Sequence, residues 1–306
     1  MIYDLAIIGG GPAGVAAGIY AARKKIESVI ITDFFGGQSL ISASIENWIG
    51  DKSISGFDLA KKLENHLRFQ QGIDIVEGDT VLRIIKERGR FVCITKNNKK
   101  IEAKTLFIAS GSRRRKLDIP GEKEFEGRGV FYCSTCDAPL FKDKVVAVVG
   151  AGNAGLEAVQ DLSLYAKKIY LVDQADTIKG DVVTRERIEK NEKIKIILNI
   201  QINKILGDKF LTGFIYLDRN TSQENKLDID GVFVEIGSVP NSEIVKDFVE
   251  INNAGEIIVD HKTQQTSMLG IWAAGDVTDV LYKQNNISVG DAIKAVLNIN
   301  EYLRGV

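Results

Sequence analysis

The sequence predicts an α/β fold of two three-layer domains, the second inserted into the first. Three observations predict it. The chain has 306 residues, too many for one ordinary core and right for two of about 150 each. Two segments each run strand, glycine-rich turn, helix, strand. A further strand near the C-terminus, Gly270-Ile271-Trp272-Ala273-Ala274-Gly275-Asp276, ends in glycine and aspartate before a helical stretch, Ile287–Leu303.

The first segment is Tyr3–Asp33. Leu5-Ala6-Ile7-Ile8 is an apolar strand, Gly9-Gly10-Gly11-Pro12-Ala13-Gly14 the turn, and Val29-Ile30-Ile31-Thr32 the next strand. Pro12 suits the first turn of a helix, where its missing N–H costs nothing. The second segment is Lys144–Asp173. Val145–Val149 leads into Gly150-Ala151-Gly152-Asn153-Ala154-Gly155, a helix, and the strand Lys168–Val172. Both turns read G-x-G-x-x-G. The first glycine permits the tight turn, the second lets backbone approach a pyrophosphate, and the third lets helix pack on strand. Each unit is followed by an acidic residue, Asp33 or Asp173, which strengthens the signal. The fold class is therefore α/β with two Rossmann-like three-layer dinucleotide-binding domains. The expected boundaries are 1–113 with 242–306 for the outer domain and 114–241 for the inserted one. The stretch Ile73–Leu106 reads as a sheet insertion ahead of the strand Leu106-Phe107-Ile108-Ala109.

Composition narrows the function. Apolar residues make up 44% and charged residues 26%, as in soluble globular proteins. Forty Lys and Arg balance 41 Asp and Glu, so no net field draws nucleic acid or an anionic membrane. The run Arg113-Arg114-Arg115-Lys116 reads as a solvated connector. No charged leader and no apolar stretch of membrane length is visible, so a cytoplasmic location is expected.

Cys133-Ser134-Thr135-Cys136-Asp137 lies between the two glycine turns. The spacing allows a disulfide across a short turn or helix start, where a thiolate can attack another disulfide. Asp137 is a candidate proton donor or acceptor. A zinc site would need about four ligands, and only Cys93, His66 and His261 remain, far apart in sequence. No metal is expected. Cys93 reads as an inert buried thiol, the two histidines as surface residues, and Phe34 and Phe35 as core or cofactor packing.

At these motifs the chain resembles the low-molecular-weight thioredoxin reductase family over nearly its whole length. Besides the two glycine turns and Cys133–Asp137, the resemblance rests on Tyr20-Ala21-Ala22-Arg23, Gly36-Gly37-Gln38, Ile45-Glu46-Asn47-Trp48, Ile236-Gly237-Ser238-Val239-Pro240-Asn241 and Ala273-Ala274-Gly275-Asp276-Val277. Asp137–Lys142, Asp230–Gly237, Gly255–Asp260 and Tyr282-Lys283-Gln284 resemble the flavoprotein reductase component of alkyl hydroperoxide reductase more closely still. That component carries extra N-terminal thioredoxin-like domains, and this chain begins at the flavin fold, so electrons are expected to leave to a separate protein.

The resemblance implies FAD in the outer domain, a nicotinamide dinucleotide in the inserted one, and a homodimer. Gly9, Gly11 and Gly14 would hold the FAD pyrophosphate, and Asp33 its adenosine ribose. Gly37, Gln38, Asn47, Asp276 and Gln284 would line the flavin. Pro12, Ala13, Val81, Ala109, Gly111, Gly275 and Lys283 complete the expected FAD positions. Gly150, Gly152, Asn153, Ala154, Gly155, Asp173, Ile236 and Gly237 are those for the nicotinamide dinucleotide. By the same likeness Cys136 faces the isoalloxazine, Cys133 attacks the partner, and Asp137 handles the proton. The inserted domain would rotate about Gly111–Arg115 and Ser238–Asn241.

One departure sets the nicotinamide. NADPH-dependent members carry a His-Arg-Arg cluster after the second strand of the inserted domain. Here the residues are Val172-Asp173-Gln174-Ala175-Asp176-Thr177-Ile178-Lys179. A carboxylate at Asp173 accepts from a ribose diol and meets a 2′-phosphate as like charge. NADH is expected over NADPH, unless Arg185 and Arg187 swing to a phosphate. The expected acceptor is a thioredoxin-like or glutaredoxin-like protein, feeding a peroxiredoxin system. The alternatives are an NADH oxidase, an NADPH-dependent or non-nicotinamide reductase, and a redox-sensing flavoprotein.

Overall fold

The computed structural model describes every residue except 43, 44, 46 and 306, and the side chains of all the others but Ile41 and Cys136. Glu46 of the Ile45–Trp48 motif therefore lies outside the described residues. The chain divides into two compact units, Met1–Arg113 with Val239–Val306, and Arg114–Ser238.

The first unit is built on a parallel sheet. Ile271–Ala273, Lys100–Ile108, Ile2–Ile8, Ser28–Thr32 and Ile73–Glu77 lie side by side, all parallel. Side chains alternate across it with period two. Leu5 and Ile7 point to one face, where the helices Pro12–Arg23 and Asn285–Arg304 bring Val15, Ile19, Val296 and Ile299. Ala6 and Ile8 point to the other, against Val81, Ile84, Phe91 and Val245. These are the three expected layers.

The segment Ile73–Leu106 differs from the expected insertion. Ile73–Glu77 joins the main sheet beside Ser28–Thr32, and only Val81–Glu87 and Arg90–Thr95 form a hairpin. Lys100–Ile108 belongs to both. Its N-terminal half pairs antiparallel with Arg90–Thr95, and its C-terminal half pairs parallel with Ile271–Ala273. One long strand thus carries the chain from the hairpin back to the carboxyl edge of the sheet.

The second unit repeats the plan. Ile194–Ile197, Lys168–Val172, Val145–Val149, Gly231–Val234 and Val130–Phe131 form a parallel sheet in that order. Val146 and Val148 face the helix Asn153–Ser163 through Leu156, Val159 and Leu162. Ala147 and Val149 face an antiparallel sheet of Ile200–Gly207, Leu211–Asp218 and Gln223–Asp228, which supplies Ile200, Ile205 and Phe214.

The crossings between units, Ser112–Arg114 and Ser238–Pro240, form a two-stranded ribbon. The basic run there is ion-paired: Arg113 with Glu243 at 2.7 Å and Lys116 with Glu126 at 2.7 Å. No helix among the described residues is long and apolar enough to cross a membrane.

The glycine turns fix helix on strand by backbone contact. A Cβ on Gly14 would stand 1.8 Å from the Gly9 carbonyl oxygen, and on Gly155 1.7 Å from that of Gly150. Overpacking of this kind costs about 3 kcal/mol or more where backbone must move. Gly290 is exposed on the C-terminal helix with open space where a Cβ would stand. Gly14→Ala is expected to lower the melting temperature by several degrees, and Gly290→Ala to raise stability by about 0.5–1 kcal/mol. A thermal melt of Gly14→Ala that overlays wild type would contradict the packing described.

Candidate active site

Nearly every predicted site residue follows the carboxyl end of a parallel strand, where ligands bind in open α/β sheets. In the first unit, Ile2–Ile8 runs into Gly9–Gly14, Ser28–Thr32 into Asp33, Lys100–Ile108 into Ala109–Gly111, and Ile271–Ala273 into Gly275 and Asp276. In the second, Val145–Val149 runs into Gly150–Gly155, Lys168–Val172 into Asp173, and Gly231–Val234 into Ile236 and Gly237. Val130–Phe131 runs into Cys133.

Both glycine turns fit a dinucleotide pyrophosphate. The helices they open start at Pro12 and Asn153, with Gly11 and Gly152 as N-caps and no side chain among the described residues capping either. Their first N–H groups are free for a phosphate. The helices Gly56–Arg68 and Val182–Glu189 differ, being capped by Ser55 and Asp181. The second glycine of each turn faces open space: nothing lies within 4 Å of a Cβ on Gly152, and on Gly11 only the Gly37 Cα at 4.0 Å. Pro12, Ala13 and Gly14 are buried under the first turn, and Asn153 and Ala154 are exposed at the second.

Around the first turn the structure brings several predicted residues together. Gln38 Nε2 donates to Ser112 Oγ at 2.9 Å and to Asp276 Oδ2 at 3.3 Å. Asn47 Nδ2 donates to Gln284 Oε1 at 3.0 Å, and Asn286 Nδ2 donates to the Asn47 carbonyl at 2.7 Å. Lys283 pairs with Glu256 at 2.8 Å and donates to the Thr278 carbonyl. Gly37 packs so near Gly11 that a Cβ would lie 3.3 Å from the Gly11 Cα. Asp33 is exposed at its strand end. Val81 stands apart: its side chain is in the core, so it can offer a ligand only main chain.

In the second unit Asp173 is half-buried and held by two backbone donors, Ala151 N–H at 2.5 Å and Ala175 N–H at 2.8 Å. Asn153 Oδ1 accepts from Asp181 N–H at 2.8 Å, and Lys179 N–H donates to the Ala151 carbonyl at 3.0 Å. The loop after Asp173 is therefore laced to the glycine turn. Arg185 pairs with Glu189 at 2.7 Å.

The cysteine motif forms a four-residue helix, Ser134–Asp137, with Cys133 as N-cap. Cys133 is half-buried and disulfide-bonded. The side chain of Cys136 lies outside the described residues. The segment is anchored at both ends: Phe131, Phe141 and Phe233 pack with ring centroids 5.2–5.7 Å apart. Burial pushes the Asp137 carboxyl up to about 6.

Four neighbours join the site that no motif announces. Ser112 joins Gln38 and Asp276, and Asn285 Oδ1 accepts from Ser39 at 3.2 Å. Asp161 and Glu235 contact the residues between the cysteines. A carboxylate following the apolar run Gly231–Val234 was the available signal for Glu235; Asp161, on a helix 26 residues away, had none. Of the remaining residues, Cys93 is buried, its thiol pushed up to about 12 by burial. His66 and His261 are exposed, Phe35 is core, and Phe34 is exposed and so no part of the core. No group of three or more His, Cys, Asp or Glu among the described residues is arranged to hold a metal.

A family model described as pyridine nucleotide-disulphide oxidoreductase matches residues 3–294. An NADH dehydrogenase of Bacillus subtilis (strain 168) is 40% identical over 301 residues, 98% of this chain and 58% of that protein. An alkyl hydroperoxide reductase component of Pseudomonas putida is 40% identical over 305 residues, again 98% and 58%. The chain thus spans a little over half the length of these curated relatives. Among solved structures, thioredoxin reductase from Streptococcus pyogenes MGAS5005 is 32% identical with a TM-score of 0.81, covering 100% of this chain and 99% of that one. Thioredoxin reductase from T. acidophilum is 36% identical with a TM-score of 0.75, covering 99% of each. The chain belongs to the pyridine nucleotide-disulphide oxidoreductase family, with the two dinucleotide-binding lobes of that architecture.

Proposed function

We propose that the chain is an NADH-preferring disulfide reductase: electrons enter from NADH, pass by way of FAD to a Cys133–Cys136 disulfide, and leave to a disulfide on a thioredoxin-fold or peroxiredoxin-system partner. The observation that carries the reading is the placement of Cys133 and the second glycine turn on the carboxyl edge of one parallel sheet, with the half-buried Asp137 in the same helix as the cysteine motif.

In this reading the first unit is the FAD domain. Gly9, Gly11 and Gly14, with Pro12 and Ala13, present the helix start to the pyrophosphate, and Asp33 takes the adenosine ribose. Gln38, Asn47, Asp276 and Gln284, already joined by hydrogen bonds, orient the ring. FAD, when bound, supplies a two-electron carrier between nicotinamide and sulfur. The second unit binds the nicotinamide dinucleotide at Gly150–Gly155, with Ile236 and Gly237 beside it. The chain is proposed to act as a homodimer in the cytoplasm.

The sulfur chemistry balances as follows. Reducing the disulfide breaks one S–S bond, takes up two electrons and one proton, and leaves a thiol and a thiolate. Cys133 then attacks the partner disulfide, and Cys136 displaces the reduced partner. Asp137 holds the proton. Its acid form is lost as pH rises through about 6, and a neighbouring thiolate moves that loss to higher pH.

NADH preference rests on Asp173. Its carboxylate is fixed by two N–H donors and remains able to accept from a ribose diol. A 2′-phosphate there meets like charge, while Arg185 is engaged by Glu189. The relative called NADH dehydrogenase accords with this choice.

Two experiments test the reading. Steady-state rates of DTNB reduction are expected to favour NADH over NADPH by about 100-fold in kcat/KM, and Asp173→Asn to narrow the gap to about tenfold or less. An NADPH preference in wild type would contradict the assignment of Asp173. Cys133→Ser and Cys136→Ser are each expected to abolish reduction of thioredoxin-fold disulfides while FAD remains bound. Asp137→Asn is expected to keep the disulfide and slow turnover about 10²-fold. Full disulfide turnover in either cysteine variant would refute the proposal, and oxygen consumption without any disulfide turnover in wild type would favour an oxidase.

A further inference from the structure

The residues between the two cysteines, Ser134 and Thr135, are held by two carboxylates of the second unit, the buried Glu235 and the half-buried Asp161. Ser134 N–H donates to Glu235 Oε1 at 3.4 Å. The Ser134 hydroxyl donates to Asp161 Oδ2 at 3.0 Å, and the Thr135 hydroxyl to the same oxygen at 3.2 Å. Nothing in the sulfur chemistry above uses either carboxylate.

Glu235 is the unusual one. It is only 8% exposed, at the end of the strand Gly231–Val234. Its main chain is also in the site: the Glu235 carbonyl packs where a Cβ on Gly150 would stand, at 2.4 Å. Three charged groups face its side chain. Arg114, on the ribbon strand Ser112–Arg114, lies 3.8 Å from Oε2, and Glu157 and Asp161 oppose it from the helix Asn153–Ser163. Desolvation is the largest cost to an ionised carboxylate so placed; Arg114 and the Ser134 N–H favour its charge, and Asp161 and Glu157 oppose it. Burial accordingly pushes its carboxyl up to about 7.

We propose that Glu235 is a positioning residue for the cysteine pair: it holds Ser134 beside Cys133, and its charge opposes the negative charge that appears at the sulfurs on reduction. The proposal rests on the reading of Cys133 and Cys136 as a redox pair. Reduction breaks one S–S bond, takes two electrons from the reductant and one proton, and leaves a thiol and a thiolate. A protonated Glu235 tolerates the thiolate, and an ionised one repels it. The repulsion is reciprocal, so the thiolate raises the pH at which Glu235 ionises. Over that interval Glu235 takes up a second proton as the disulfide is reduced. Below it Glu235 is neutral in both redox states and adds no charge.

The test is the reduction equilibrium of the cysteine pair in the FAD-loaded chain, set by a glutathione redox buffer. Samples are quenched with acid, alkylated and counted by peptide mass, which separates Cys93. Glu235→Gln keeps an oxygen that accepts from Ser134 N–H and removes the charge. At pH 8.5 it is expected to favour the reduced pair over wild type by about tenfold, and at pH 6 to match wild type. A difference of equal size at both pH values, or none at either, would overturn the proposal. Should the variant misfold, Asp137→Asn decides, because it removes the other carboxyl that titrates beside the pair. Its midpoint potential is expected to fall more steeply with pH between about 7 and 8 than below 6.5. A cysteine pair by itself can only become less steep as its thiols ionise, so a slope that merely flattens would overturn the idea. Because glutathione is the reductant, the result is independent of the nicotinamide. A pair that shows the steepening but cannot be reduced by NADH would leave the role of Glu235 standing and sink the proposed function.

Discussion

Backbone against backbone is the contact on which both lobes depend. In each, the third glycine of the turn lies on the carbonyl of the first, too close for any side chain. That approach seats a helix on the sheet directly beyond a strand end. It also leaves the second glycine facing open space and the helix start uncapped. A cradle for a phosphate is thus the by-product of tight helix packing, and the same backbone geometry provides it twice in one chain.

From those seats the other parts take their positions. Parallel strands deliver Asp33, Ala109 and Asp276 to one carboxyl edge, and Asp173, Ile236 and Cys133 to another. The polar links that follow join residues distant in sequence: Gln38 to Asp276, Asn47 to Gln284, Ser134 to Glu235. Around the cysteine segment the environment is apolar at both ends and anionic at the middle. The ring triad of Phe131, Phe141 and Phe233 fixes its entry and exit, while Asp161 and Glu235 hold the spacer. Desolvation dominates the electrostatics there, which is why Asp137 and Glu235 both ionise at higher pH than free carboxylates.

How much of this was legible in the sequence follows from how local each signal is. Strand, turn and helix around Gly9–Gly14 and Gly150–Gly155 are written within about thirty consecutive residues, and the structure has them at nearly the expected places. Ile73–Glu77 departs from the sequence expectation because its partner, Ser28–Thr32, lies across the intervening helix Gly56–Arg68. That helix carries a readable start, Ser55 accepting from Asp58 N–H. Only the last third of Lys100–Ile108 is legible as a strand, because the first part pairs with a hairpin whose register no local pattern states. In the site, the cysteine spacing and the glycines are self-announcing. Asp161, Ser112 and Asn285 are ordinary polar residues until the fold places them, so nothing in their own neighbourhood marks them.

Whether the sulfur pair and the flavin share electrons decides the mechanism as a whole. An anaerobic reductive titration of the purified yellow protein measures that directly. The account predicts uptake of about two electron pairs per chain, one resting on FAD and one in the Cys133 and Cys136 thiols. Uptake of a single pair, with the cysteines still oxidised at the end point, would contradict it.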